Sequence, residues 1–228
     1  MRSIRLYFLL ALTSAMLLPA QEEMPDKRLR SATDTLHEIM ATPDRAIPRG
    51  LLNRAECIVV VPGMKKAAFV VGGEYGRGYA LCRTRGRWSA PAPVRLAGGS
   101  FGVQLGADST DIVMLVMNER GMQRLLSDKF KIGVDATAAA GPVGRDAAAD
   151  TDALMRAEIL SWSRTRGLFA GAALDGTVVE HDGGETEKLY GRPMNNHEII
   201  AGNARVPEAA HILVREMDEI APAGMRSN

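Results

Sequence analysis

The chain has 228 residues, 46% hydrophobic and 24% charged, with a formal net charge of +1. This length makes one domain the default, and so neutral a total by itself says nothing about partners. Aromatic residues are only 5% of the chain and do not interleave with the basic ones, so the stacking platforms of a single-strand nucleic-acid binder are not encoded.

The first twenty residues read as a leader rather than as part of the fold. Arg2 and Arg5 precede an apolar run from Leu6 to Leu18, and Ala20 is a small residue at a cleavage point before the polar QEEMPDK. The run is shorter than the ~20 residues that cross a bilayer. The expectation is export from a bacterial cytoplasm: residues 1–20 a signal peptide, the mature chain starting near Gln21, and a periplasmic or secreted product, membrane-associated or free.

Residues 21–46 form an N-terminal helical segment. Leu29, Ala32, Leu36, Ile39 and Met40 recur at helical spacing behind Pro25, and Pro43 closes the helix. Pro48 suits the first turn of a short second helix through about Ala55. The pattern then changes. CIVVV, AAFVVGG, RGYALC, GRWSA, GSFGVQLGA and DIVMLVM are short, valine-rich and punctuated by glycine and proline, as consecutive strands are. Arg83 to Trp88 reads as a hairpin tip with Gly86 in the turn. Lys65 and Lys66 follow Pro62-Gly63 at what reads as another connection. Asn118 caps a helix over ERGMQRLLSD. KIGVDATAAAGPVG is a further strand with a proline-glycine turn, and RDAAADTDALMRA a loop. ILSWS, GLFAGAAL and GTVVEH complete the strands. Helices come behind Asp182, Asn196 and Pro207, the last two in a C-terminal tail at 191–228.

This order predicts an α+β fold: a single domain with a curved, largely antiparallel sheet flanked by N- and C-terminal helices. Phe69, Val71, Val103, Val113, Leu115 and Phe169 are its core candidates. Cys57 and Cys82 sit in apolar strand-like runs. Their count and spacing leave two buried thiols and a disulfide both open, and a bridge needs the two strands to be neighbours.

No catalytic constellation stands out. Gly98-Gly99-Ser100-Phe101-Gly102 matches a nucleophile elbow, but the FGVQLGA run leaving it alternates like a strand, and no histidine–acid pair serves Ser100. GGEYGRG, residues 72–78, lacks the lysine of a phosphate loop and reads as a hairpin turn. His37, His181, His197 and His211 are scattered, so neither a zinc site nor any cofactor is expected. The chemical signal is a local charge surplus. Between Cys57 and Gly106 stand Lys65, Lys66, Arg77, Arg83, Arg85, Arg87 and Arg95 against the single acid Glu74. Such a surplus creates a positive field on a nearly neutral protein. Arg164 and Arg166 can bind a phosphate, or can serve structure by bonding loop carbonyls or pairing with Asp175 or Glu180.

Three segments carry a family resemblance: WSAPAPVRLAGGSFGVQLGA, AAGPVGRDA and SWSRTRGLFAGAALDG. Trp88, Ser89, Pro91, Gly99, Gly102 and Gly106 in the first, Gly141, Pro142, Gly144 and Arg145 in the second, and Ser161, Ser163, Gly167, Leu168, Phe169, Ala170 and Gly171 in the third resemble the SYLF-domain family. The likeness runs from about Ile47 to about Tyr190 and marks 47–190 as the domain. It implies a non-enzymatic lipid-binding module. Eukaryotic members are associated with phosphoinositide membranes and some with actin, and an N-terminal amphipathic helix and basic residues are linked to the lipid contact. In an exported bacterial relative it implies anionic phospholipid or another envelope lipid as partner. The expected lipid-binding set is Lys65, Lys66, Arg77, Arg83, Arg85, Arg87, Arg164 and Arg166. The alternative is a structural or protein-interaction component of the envelope, with an envelope protein as partner. Neither reading sets an oligomeric state.

Overall fold

The computed structural model describes residues 24–41, 46–68, 71–101, 108–144, 156–165, 167–202 and 204–222. The expected leader, Phe69, Val103 and Arg166 lie outside the described residues, as does the side chain of Val71.

Helix α1 is Pro25–Met40, with proline in its first turn, where a missing N–H costs no hydrogen bond. Its apolar stripe, Leu29, Ala32, Leu36 and Ile39, is buried. Helix α2, Arg49–Arg54, begins after Pro48 and buries Leu51 and Leu52. Two long strands come next, β1 (Cys57–Ala68) and β2 (Val71–Thr84). The glycine-rich 72–78 stretch is therefore continuous strand, not a turn. Pro62-Gly63 is likewise no connection but an irregularity inside β1, where the register shifts between Val60 and Lys65 and Gly63 takes φ +60°. Gly78 faces this bulge. A Cβ there would lie 2.0 Å from the Val60 carbonyl oxygen, so only glycine lets the two strands stay together.

Strand β2 turns through Arg85 (φ 52°) and Gly86 (φ 76°) into β3, Arg87–Trp88. Two successive positive φ angles make the mirror-image turn that suits a two-residue hairpin. Next are strands β4 (Ala92–Phe101) and β5 (Asp108–Val116), then helix α3 (Glu119–Leu126), whose first-turn N–H of Gly121 donates to the Asn118 side chain. The expected single strand after it is split into β6 (Lys129–Lys131) and β7 (Ala138–Ala140). Strands β8 (Ile159–Thr165), β9 (Leu168–Gly171) and β10 (Val178–His181) complete the sheet. Helix α4 is Gly183–Tyr190, capped by Asp182. Helix α5 is Asn196–Ile200, and its cap is Asn195 rather than the expected Asn196, with Glu198 completing a capping box. A 3-10 turn, Glu208–Ala210, leads into α6, His211–Ile220.

The sheet order is β6-β10-β4-β2-β1-β5-β8-β7, with β3 on β2 and β9 on β8. Every pairing of these strands is antiparallel except β7 with β8. The expected α+β class and flanking helices are what the molecule has. Alternation along the central strands feeds two cores. Val59, Val61, Leu96, Ile112 and Met114 pack with Leu125, Phe130, Ile199 and Ile200. On the other face Ile58, Val60, Leu81, Val113, Leu115 and Trp162 pack under Leu29, Leu36, Leu52, Leu213 and Met217. Of the expected core residues Val113 and Leu115 are buried, whereas Phe169 is only half-buried against the second cluster. Cys57 and Cys82 are opposite each other on β1 and β2 and form a disulfide. Both positions are fully buried, and of the two open alternatives the structure has the bridge.

Candidate functional site

The basic residues expected to form one surface are distributed over several environments. Arg83 corrects the expectation of an exposed hairpin cation: it is only 6% exposed. Its Nε donates to the Ala55 carbonyl at 3.0 Å, Nη1 to Pro222 at 3.0 Å, and Nη2 to Leu52 at 3.2 Å and Ala221 at 3.3 Å. These are carbonyls at the C-terminal ends of α2 and α6, where orphan acceptors and the negative end of the helix dipole favour a cation. The guanidinium also stacks 4.4 Å above the Trp88 ring. Arg85 and Arg87, its neighbours across the turn, are exposed.

Arg77 is turned to a different ionic cluster. It donates to Asp182 Oδ2 at 2.5 Å and Oδ1 at 2.9 Å, and its Nη2 lies 3.6 Å from Glu185 Oε2. Glu185 in turn accepts from Arg28 at 2.5 Å and from the Tyr79 hydroxyl at 2.8 Å. All but Arg77 are buried: Arg28 5%, Tyr79 0%, Asp182 2% and Glu185 1% exposed. Burial pushes the Asp182 carboxyl up, but the hydrogen bonds from Arg77 and from the Glu185 backbone, with the nearby positive charge, hold it below the usual aspartate value. Burial first, then the Glu185 carboxylate, pushes the Tyr79 phenol far upward, so it stays protonated and donates. The cluster ties α1 and α4 to β2.

Arg164 is bound by carboxylates other than those expected. It pairs with Asp111 at 2.7 Å and with Glu38 of α1, not with Asp175 or Glu180. Asp111 also accepts the Gly63 backbone N–H at 2.8 Å, so Arg164 fixes the bulge of β1. Arg164 and Lys65 do meet, in a cleft of about 370 Å3 lined also by Ser31, Asp34, Thr35, Gly63 and Asp111. Lys66 continues β1 opposite Glu74, and its side chain lies outside the described residues.

Exposed Lys65 belongs to something larger that sequence reasoning missed. Directly paired residues lie on the same face of a sheet. One unbroken row crosses six strands: Lys131, Val178, Ala97, Tyr75, Lys65 and Ser109. A parallel row two residues on carries Lys129, Glu180, Arg95 and Arg77. Tyr75 is 48% exposed at the centre of the first row. Glu180 accepts from Arg95 at 2.6 Å and lies 3.5 Å from Lys129. Burial raises its carboxyl, and these two cations outweigh burial and lower it. The alternation KFK at 129–131 was the available signal: Phe130 goes to the core, so both lysines face outward.

The three segments that carry the family resemblance are used in the fold. Trp88 Nε1 donates to the Ala221 carbonyl at 2.9 Å, Ser89 Oγ accepts the Cys82 N–H at 3.0 Å, and the Pro91 carbonyl accepts the Tyr190 hydroxyl at 2.7 Å. Trp162 Nε1 donates to the Pro142 carbonyl at 2.9 Å, and a Cβ on Gly141 would lie 2.0 Å from the Trp162 ring. Ser161 Oγ donates to the Ala172 carbonyl at 2.7 Å. Ser100 lies within β4 opposite Gly72. His181 Nδ1 is 2.9 Å from the Asn196 side-chain oxygen, and among the described residues no three His, Cys, Asp or Glu side chains converge as a metal site.

Comparison with known proteins agrees with these segments. Residues 97–220 match the family described as "Ysc84: Las17-binding protein actin regulator". The chain is similar to Protein YSC84 of Saccharomyces cerevisiae, 30% identical over 179 residues, covering 77% of this chain and 38% of that protein. It is 29% identical over 206 residues to the yeast LAS seventeen-binding protein 3, covering 84% of this chain and 44% of that one. It is 31% identical over 179 residues to the SH3 domain-containing YSC84-like protein 1 of Xenopus laevis, covering 77% and 53%. The chain thus spans about half or less of the length of these relatives.

Proposed function

The chain belongs to the Ysc84, or SYLF, family, and on that premise we propose that it is an exported, non-enzymatic module that binds anionic phospholipid surfaces. The observation that carries this reading is the exposed remainder of the local charge surplus. Lys65 is exposed and Arg95 is 42% exposed, on the sheet face that also carries exposed Lys129 and Lys131, while Glu74, the acid of the surplus region, is half-buried beside Thr177. A cation near an anionic leaflet contributes ~1 kcal/mol, so a handful suffices for reversible attachment. The Cys57–Cys82 bridge supports export, because disulfides persist in oxidising compartments. Helix α1 supplies little to this reading: its apolar stripe is buried against the sheet and α6, so attachment rests on the charged surface.

Co-sedimentation of the mature chain with phosphatidylglycerol vesicles and with phosphatidylcholine vesicles tests it. Binding only to the former, weakened by salt because exposed charges are screened over ~8 Å at physiological ionic strength, is the expected result. No binding to either defeats it. A protein-docking module is then the second reading. It is favoured by the edge strand β9, where Leu168 is 70% exposed, and by relatives named for binding Las17 and regulating actin.

A further inference from the structure

We propose that the uncovered sheet face centred on Tyr75 is the surface that lies on the membrane, with Lys65, Arg95, Lys129 and Lys131 as its phosphate contacts; this rests on the lipid-binding reading above. The face is the continuation of the one that carries the helix-covered core. At the Tyr79 row, α1 and α4 close over the sheet, and Tyr79 is fully buried. Two residues along β2, Arg77 marks the border, tied to Asp182 and Glu185 at the start of α4. Two residues further, the row from Lys131 to Ser109 is exposed or half-exposed at every position.

Three features of this face fit a bilayer. The first is charge: these four cations share the two rows with the carboxylate of Glu180, which already sits between Arg95 and Lys129. The second is shape. Adjacent strands are ~4.8 Å apart, so a row across six strands spans about 24 Å, wide enough to meet several lipid headgroups at once. The third is Tyr75, an amphipathic ring between Ala97 and Lys65, of the kind that partitions to headgroup level. An acidic protein would use the charge as well. Among the described residues this broad sheet face has Tyr75 as its central aromatic and no walls of a peptide groove, and this favours the lipid surface.

The exposed turn carrying Arg85 and Arg87 makes no part of these rows, so the two surfaces are separable by mutation. The test compares the parent, K65E/K129E/K131E and R85E/R87E on phosphatidylglycerol vesicles. Each lysine near the leaflet is worth about five-fold in affinity, so the triple reversal lowers binding by at least about 100-fold. R85E/R87E changes it only a few-fold. All three lysines are exposed, and matching circular dichroism and melting profiles for parent and triple variant establish that folding is intact. A second reporter is independent of charge. Tyr75→Trp emission shifts to the blue on adding vesicles, whereas Trp88 and Trp162, 3% and 0% exposed, stay constant in the parent. If the parent binds and the triple variant binds as well, or the indole introduced by Tyr75→Trp does not respond, the assignment of this face is overturned while lipid binding stands. If the parent binds no anionic vesicle, both fall. If it binds soluble poly-glutamate but not vesicles, the face is a protein-docking surface and the proposal is overturned.

Discussion

Arg83→Met removes a buried cation while roughly keeping its length and apolar bulk. In the parent, the guanidinium satisfies carbonyls of Leu52, Ala55, Ala221 and Pro222 and stacks on Trp88. A hydrogen bond to a charged group is worth ~1.5–3 kcal/mol, and a desolvated cation–π contact up to ~2 kcal/mol. These terms overlap, because the carbonyls lie at helix ends and water reaches some of them once the side chain is gone. A net loss of about 3–5 kcal/mol is expected, the range seen when one partner of a buried charged contact is removed. For a chain of this size that is a fall in Tm of about 10 °C. Urea unfolding followed by far-UV circular dichroism measures it, with Arg85→Met, an exposed neighbour, as the control expected within ~0.5 kcal/mol of the parent. A midpoint for Arg83→Met within that same margin would refute the capping role. Equal losses for both variants would show that the turn, not the buried guanidinium, is what matters.

Removing Arg28 from the ionic cluster (Arg28→Met) leaves Glu185 buried with one cation fewer, and chemical denaturation should register a loss of ~3 kcal/mol or more. Asp182 has a folded pKa below its unfolded value of about 3.8, so its contribution is fully present above that value and disappears as pH falls through the window beneath it. Acid titration of stability should therefore steepen below about pH 3.8, and Asp182→Asn should flatten that part of the curve. Gly141→Ala drives a methyl into the Trp162 ring, and overpacking of ~1–3 kcal/mol should appear as a lowered Tm and altered near-UV circular dichroism. The C57A/C82A variant opens a 25-residue loop in the unfolded chain and should lose about 3 kcal/mol relative to the oxidised parent.

Local chemistry made much of the fold legible. Pro25, Pro48, Asn118 and Asp182 mark helix starts because each acts within one turn of chain. Arg85-Gly86 is a hairpin turn for the same local reason. The misread segments are those where a distant partner decides. Gly72 to Gly78 looks like a turn because glycine permits one, but pairing to β1 and β4 along its length keeps it extended. Lys65 comes after a Pro-Gly pair that looks like a connection, yet Asp111 and Arg164 hold it as a bulge within β1. The surface set was the least legible. Arg83 and Arg85 are two residues apart, and sequence cannot tell that one aims at helix ends brought from 28 and 138 residues away while the other meets water. Nor could it join Lys131 to Lys65, which share one face only through four intervening pairings.

The last helix has a kinetic consequence. Helix α1 packs on α6, Trp88 and Arg83 bond the carbonyls of residues 221 and 222, and β10 inserts between β4 and β6. The elements made first are thus completed by the elements made last. Such non-local closure slows folding, because loop entropy is lost before contacts reward it. During synthesis these closing contacts cannot form until α6 has emerged from the ribosome. A stop codon a few residues before Ala221 would deprive the first-made half of its clasp.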